Sequence, residues 1–279
     1  MRVLVTGSRG QLGRALAGAA AARGDEAVGV DLPEVDVTDE TAVGALLRDV
    51  RPDWVVNAAA FTAVDEAERR EAEAAAVNAT AVEYLVAAAD AVGAGLVHVS
   101  TDYVFDGLGK RPYREDDPVG PCSAYGRTKL AGERAAARGS RVLIARTAWL
   151  YGDGANFVAA IRRQIDAGAS TLRVVADQRG CPTYAVDLAG ALLDLVDAGA
   201  RGLVHAVNAG SATWHELACE IVRLLGAPVK VVAVTTAEMP RPAPRPGYSV
   251  LDTARLTALL GRPLPPWQDA LARHLGAVR

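Results

Sequence analysis

A short β-branched run at residues 2–6 passes directly into Gly7-Ser8-Arg9-Gly10-Gln11-Leu12-Gly13, and an alanine-rich helical pattern continues to about residue 23. Strand, loop with G-x-x-G-x-x-G spacing and helix, in immediate succession, open the kind of βαβ unit that binds a dinucleotide. Glycine lets the backbone turn sharply and approach a pyrophosphate. The helix N-terminus then offers free N–H groups and the positive end of its dipole. Glycines also serve ordinary tight turns, but the strand before and the helix after favour the phosphate reading. Gly7, Arg9, Gly10, Gln11, Leu12 and Gly13 are therefore candidate cofactor contacts.

Further strands are predicted over 26–30, 54–58, 95–100 and 141–146, with helices over 41–50, 66–92 and 125–138. Such alternation implies a parallel, doubly wound sheet, and continuous apolar strands such as Val3-Leu4-Val5 fit burial on both faces. The fold class is accordingly α/β, Rossmann-type, with a smaller, partly discontinuous substrate domain. Past about Trp149 the alternation loosens. Helices are expected over 156–167 and 214–225, while a helix over 187–198 and a strand over 203–208 return to the sheet. The division is then 1–150 for the dinucleotide, with return segments near 183–210, and 151–279 for the substrate. The run Pro240-Arg241-Pro242-Ala243-Pro244-Arg245-Pro246-Gly247 has no regular pattern; its two arginines make either a solvated linker or an anion clamp.

The 279 residues are 51% hydrophobic and carry a net charge of −3, which argues against disorder and against general attraction to nucleic acid. No apolar run is expected to approach the roughly 20 residues that span a bilayer, and the N-terminus reads as a mature strand rather than a signal peptide. Cys122, Cys181 and Cys219 are odd in number and widely spaced, which fits a reducing cytoplasm. They read as buried or half-buried thiols, with Cys181, in the expected ligand loop 178–183, the one open to alkylation. His98, His205, His215 and His274 have no metal-like spacing, and His98 reads as a core residue. The chain has neither a Gly-x-Ser-x-Gly elbow nor a Walker lysine, which weakens hydrolase and kinase readings.

Two signals about the cofactor conflict. Asp31 ends the second strand, where a carboxylate binds a ribose diol and favours NADH. Arg9, in the glycine loop, suits a 2′-phosphate and favours NADPH. Use of both cofactors is expected. Asp36 and Val37 flank the adenine or are plain loop residues. Small residues at Ala58, Ala59 and Ala60, with Thr62 beyond, either let a cofactor cross the sheet edge or simply pack closely.

The chemistry is expected from Thr101, Tyr125 and Lys129. Thr101 follows a strand and so lies at the carboxyl edge. Tyr125 and Lys129, at i and i+4, share one face of a helix. An ammonium there is expected to lower the phenol's pKa, so that Tyr125 exchanges a proton with a carbonyl oxygen as hydride moves to its carbon. Lys129 would also hold the nicotinamide ribose, and Thr101 the substrate oxygen. Taken singly, each has a plainer reading: a strand-end cap, a half-buried aromatic, a solvated charge.

With Thr101-Asp102-Tyr103-Val104-Phe105, Trp149-Leu150-Tyr151, Arg245-Pro246 and Pro265-Pro266-Trp267-Gln268 added, the chain resembles the dTDP-4-dehydrorhamnose reductase family of the extended short-chain dehydrogenase/reductases nearly end to end. The resemblance implies a dTDP-linked 4-keto-6-deoxy-L-hexose as substrate, NADPH or NADH as cofactor, and catalytic roles for Thr101, Tyr125 and Lys129. It gives Asp102 and Trp149 sugar-nucleotide contacts, although a tryptophan at a domain seam also serves as core. A related dTDP-4-keto-deoxysugar of dihydrostreptose type, or a non-catalytic regulatory role, remains open. Some members bridge two subunits through Mg²⁺ on glutamates. The matching positions are Ala15, Asp187 and Ala277, so no Mg²⁺ is expected, and a monomer or a homodimer without the bridge remains.

Overall fold

The computed structural model describes residues 1–276 and is built on one parallel sheet. Its strands are β1 (Arg2–Thr6), β2 (Glu26–Val30), β3 (Trp54–Asn57), β4 (Gly95–Thr101), β5 (Val142–Thr147) and β6 (Gly202–His205). Their spatial order is β6-β5-β4-β3-β1-β2, with every neighbouring pair parallel. Each strand matches its predicted position to within a few residues. The order reverses between β1 and β3, which is where a doubly wound sheet opens a ligand crevice at its carboxyl edge.

Alternate side chains of the strands feed two cores, as the period of two requires. Val3, Val5, Val56, Val97 and Leu143 meet the helices Gln11–Arg23 and Ala185–Asp197. Leu4, Val55, Leu96 and Ile144 meet Glu40–Val50, Ala81–Val92 and Ala124–Ala136. The helix Ala185–Asp197 and β6 thus bring the chain back to the sheet layer after it has left through Trp149. One helical run, Glu71–Val92, is long and apolar enough to pass as a membrane span, contrary to expectation. In this fold its Val82, Leu85 and Ala89 are buried in the second core, and Glu71, Glu73, Glu83 and Asp90 lie along it.

Beyond the sheet, strand Thr171–Val175 pairs in parallel with Lys230–Val234. The helices Phe157–Asp166, Trp214–Leu225 and Trp267–His274 pack a third core with them around Ile161, Leu172, Leu217 and Trp267. Two short strands, Leu150–Tyr151 and Thr183–Tyr184, pair where the chain passes out of the sheet layer and back into it. Residues 240–247 have no regular structure. Arg245 there is ion-paired with Asp65 at 2.6 Å, and Ala243 N–H donates to the same carboxylate at 3.1 Å, which ties the loop to the body of the protein.

Candidate active site

A cleft of about 920 Å³ runs along the carboxyl ends of β1 to β5. Gly7, Arg9, Gly10, Gln11, Leu12 and Gly13 line it, with Asp31, Asp36 and Val37 beside them and Ala58, Ala59, Ala60 and Thr62 beyond. The glycine loop leaves no room for side chains. Gly7 has φ of +65°, and a Cβ there would stand 2.7 Å from Ala59 N. At Gly13 a Cβ would fall on Gly7 O and Ser8. Such a cradle, opening onto a helix N-terminus, fits a dinucleotide pyrophosphate. The Asp31 carboxylate accepts from Arg9 N–H and Leu32 N–H, both at 2.9 Å. The Arg9 guanidinium pairs with exposed Glu34, a contact weak enough to exchange for a phosphate. Asp36 is held below the usual carboxylate range by Thr38 N–H and the Thr38 hydroxyl.

Thr101, Tyr125, Lys129 and Trp149 line the same cleft. Ser123 caps the Tyr125 helix by accepting from Gly126 N–H at 3.1 Å. A Cβ at Gly126 would fall on Tyr103 O, so the first helical turn lies tight against the turn that follows β4. The rings of Tyr103 and Tyr125 meet edge to face at 5.6 Å. Lys129 is buried, and its Nζ donates to Val99 O at 2.6 Å. The expectation that this ammonium lowers the phenol's pKa does not hold in this structure. Burial pushes Tyr125 up to about 12, against a smaller pull from its hydrogen bond with Thr101. Lys129, turned to Val99 O, is itself drawn down to about 8 by burial. Tyr125 therefore holds its proton at neutral pH, the state a proton donor requires.

Asp102 lies behind Thr101 and not on the cleft wall. Its buried carboxyl accepts from Thr101 Oγ1 at 3.0 Å and from the Ser249 hydroxyl, and burial raises it to about 6. Trp149 has a φ of +45°, rare for a bulky residue and a mark of local strain. It is stacked on Trp214.

Several supporting residues escape sequence reading. Asn78 Oδ1 accepts from Phe61 N–H at 2.9 Å, while its Nδ2 donates to Thr128 Oγ1 at 3.1 Å, joining the cleft rim to the Tyr125 helix. Glu133 forms a buried bidentate pair with Arg146, both bonds 2.8 Å, and accepts from Ser100 Oγ at 2.5 Å. Its signal was present: Glu133 continues the i, i+4 stripe of Tyr125 and Lys129. Asn156 Nδ2 donates to Gln11 Oε1 at 2.9 Å and joins the glycine loop to the outer lobe. His98 is buried, with Nδ1 3.2 Å from Asn57 Nδ2, and burial keeps it neutral. Cys181 is 1% exposed and raised to about 12, so burial removes the thiolate that alkylation needs; Cys122 is the exposed thiol.

At the positions matched to metal-binding glutamates, Asp187 has both oxygens on the Arg273 guanidinium at 2.8 and 2.7 Å, and Asn208 Nδ2 donates at 2.7 Å. Ala15 packs against the first core, and Ala277 lies outside the described residues. Among the described residues no group of three His, Cys, Asp or Glu is placed to hold a metal.

A dinucleotide cradle at the sheet's switch point, with threonine, tyrosine and lysine on the cleft beyond it, defines a nicotinamide-dependent ketoreductase of the extended short-chain dehydrogenase type. The profile described as RmlD substrate binding domain matches residues 1–279. A Streptomyces griseus dTDP-4-dehydrorhamnose reductase is 47% identical over 99% of this chain and 94% of its own. A probable dTDP-4,6-dihydroxy-2-methyloxan-3-one 4-ketoreductase of Streptomyces antibioticus is also 47% identical, over 97% and 93%. The crystal structure of a Bacillus anthracis dTDP-4-dehydrorhamnose reductase in complex with NADP superposes with a TM-score of 0.95, at 34% identity and 99% coverage of both chains. The chain belongs to this family, the dTDP-4-dehydrorhamnose reductases.

Proposed function

We propose that this protein reduces the 4-keto group of dTDP-4-dehydro-6-deoxy-L-mannose to give dTDP-L-rhamnose, with NADPH or NADH. The observation that carries the reading is the convergence of Thr101, Tyr125 and Lys129 on the cleft that the glycine loop opens. Residues 7–13 and Asp31 would hold the cofactor, which would supply the hydride when bound. Thr101 holds the keto oxygen by a hydrogen bond. Tyr125, protonated across the neutral range, gives its proton to that oxygen as negative charge develops. Lys129, on the same cleft, would hold the nicotinamide ribose and stabilise the phenolate left behind. Trp149 and Asp102 shape the sugar pocket, Trp149 directly and Asp102 through Thr101. In this reading residues 1–150 and the return near 183–210 carry the cofactor, and the rest of 151–279 carries the sugar nucleotide. The enzyme acts in the cytoplasm, as a monomer or a homodimer without a Mg²⁺ bridge.

The test follows NADPH and NADH absorbance with enzymatically generated keto-sugar nucleotide, in the presence of EDTA. We expect oxidation that yields dTDP-L-rhamnose, and a fall in kcat of about 10²–10⁴ for Tyr125→Phe. A folded, cofactor-binding protein that leaves this substrate untouched would remove the assignment. The Streptomyces antibioticus relative, equal in identity, favours a second reading, reduction of another dTDP-4-keto-deoxysugar. The stereochemistry of the product hydroxyl separates the two.

A further inference from the structure

Trp149 and Trp214 stand face to face on the cleft wall, with ring centroids 3.5 Å apart and planes 4° from parallel. That is contact distance, so no third ring fits between them. The Gly180 side of Trp149 is closed too, because a Cβ there would stand 2.5 Å from indole Cε2 and Nε1. Trp149 is fixed through its backbone. Its carbonyl accepts from Thr183 N–H at 3.2 Å, and the next two residues pair with Thr183 and Tyr184. Trp214 is held by its capped helix and, at its indole, by side-chain contacts alone. It begins its helix half-buried, donates from Nε1 to Gln178 Oε1 at 3.2 Å, and meets a tilted Phe157 ring at 4.6 Å.

We infer that Trp214 is a specificity gate for the sugar ring: its indole covers the face of Trp149 that a hexose needs, and a ligand whose own flat apolar ring face replaces it is admitted. The inference rests on reading the protein as a sugar-nucleotide reductase. The register of the sheet says which ring is meant. Thr147 lies beside Thr101 across β5 and β4, and Trp149 follows two residues on. The ring that meets Trp149 is therefore the hexose carrying the reacting carbon, not the distant base. A nucleotide without a hexose has nothing with which to displace Trp214.

The gate makes effects of opposite sign. An aromatic stack competes with the ligand, so Trp214→Ala lowers the KM for the keto-sugar nucleotide about two- to tenfold, with the KM for NADPH unchanged. Trp149→Ala raises the KM for the sugar. Trp214→Phe keeps an apolar ring and moves the KM in the same direction as alanine, by less. A purely structural role for Trp214 would raise KM or move both substrates together, and either result overturns the gate. The wild-type protein gives a second test. NOEs between the two indoles should disappear on addition of dTDP-L-rhamnose with NADP⁺, replaced by NOEs from Trp149 to hexose protons. Calorimetry on the same sample separates the failures: no binding sinks the sugar-nucleotide reading, whereas binding with the indole–indole NOEs intact sinks the gate.

Discussion

Burying a lysine amine costs stability, and Lys129 shows what the site exchanges for chemistry. It is 2% exposed and its pKa is drawn down to about 8 from 10.5. A lysine whose folded pKa lies below its unfolded value destabilises the fold wherever it is charged. Below about pH 8 the ammonium is present in both states and the penalty is complete; it is relieved as pH rises from about 8 toward 10.5. Lys129→Met should therefore stabilise the protein at pH 7 by on the order of 1–3 kcal/mol while removing activity. The gain in Tm over the parent should shrink by pH 10. A gain that is flat with pH would place its origin elsewhere. Arg9 offers a cleaner functional separation. Its guanidinium has two exposed contacts to exchange, the ion pair with Glu34 and a bond to Leu32 O at 2.6 Å. Arg9→Ala should raise the KM for NADPH about tenfold or more, the worth of a charge-assisted bond to a 2′-phosphate, and leave that for NADH in place. Equal effects on both cofactors would remove Arg9 from 2′-phosphate recognition.

Among the elements, the Tyr125 helix carries the strongest buried electrostatics. Glu133 on it, Arg146 on β5 and Ser100 on β4 are locked together beneath the catalytic face. Glu133→Ala leaves a buried guanidinium without its partner and should cost about 3–5 kcal/mol in urea unfolding. Replacing both partners by apolar residues should restore most of that. The loss from Glu133→Ala should exceed that of the double replacement, or the pair is not what holds the three elements. The regular elements were legible because their pattern is long and their burial one-sided or complete. Trp214–Leu225 matched its predicted span, and β4 missed by one residue. Elements were missed where local pattern is weak. Strand Thr171–Val175 is five residues with two exposed, and its parallel partner lies far along the chain. The stretch 66–92 reads as one helix, yet it breaks near Arg69–Arg70 and carries a π-helical turn at Ala76–Thr80. That turn places Asn78 against Gly132, whose missing Cβ makes the approach possible. Such close backbone contact leaves no periodic trace in sequence.

Across the whole molecule, the cleft is the product of topology. Five strands end on it in parallel, so segments as far apart in sequence as Gly7 and Tyr151 meet along one edge. Motif order pointed to residues of the glycine loop and to Thr101, Tyr125 and Lys129, which line one cleft. The outer lobe was readable only in outline, because Trp214 and Asn156 reach the cleft through tertiary packing. The direction of the Tyr125 pKa shift is not legible in sequence for the same reason: i, i+4 spacing puts Lys129 on the right face, but burial and the Val99 carbonyl decide what its charge does. Asp187 carries a different lesson. It keeps a carboxylate where relatives are expected to hold a dissociable metal, and Arg273 answers it with a charge carried on the same chain. A tethered counter-ion has an effective concentration set by the fold rather than by the surroundings. Dilution, chelators and swings in metal supply leave such a counter-ion where it is.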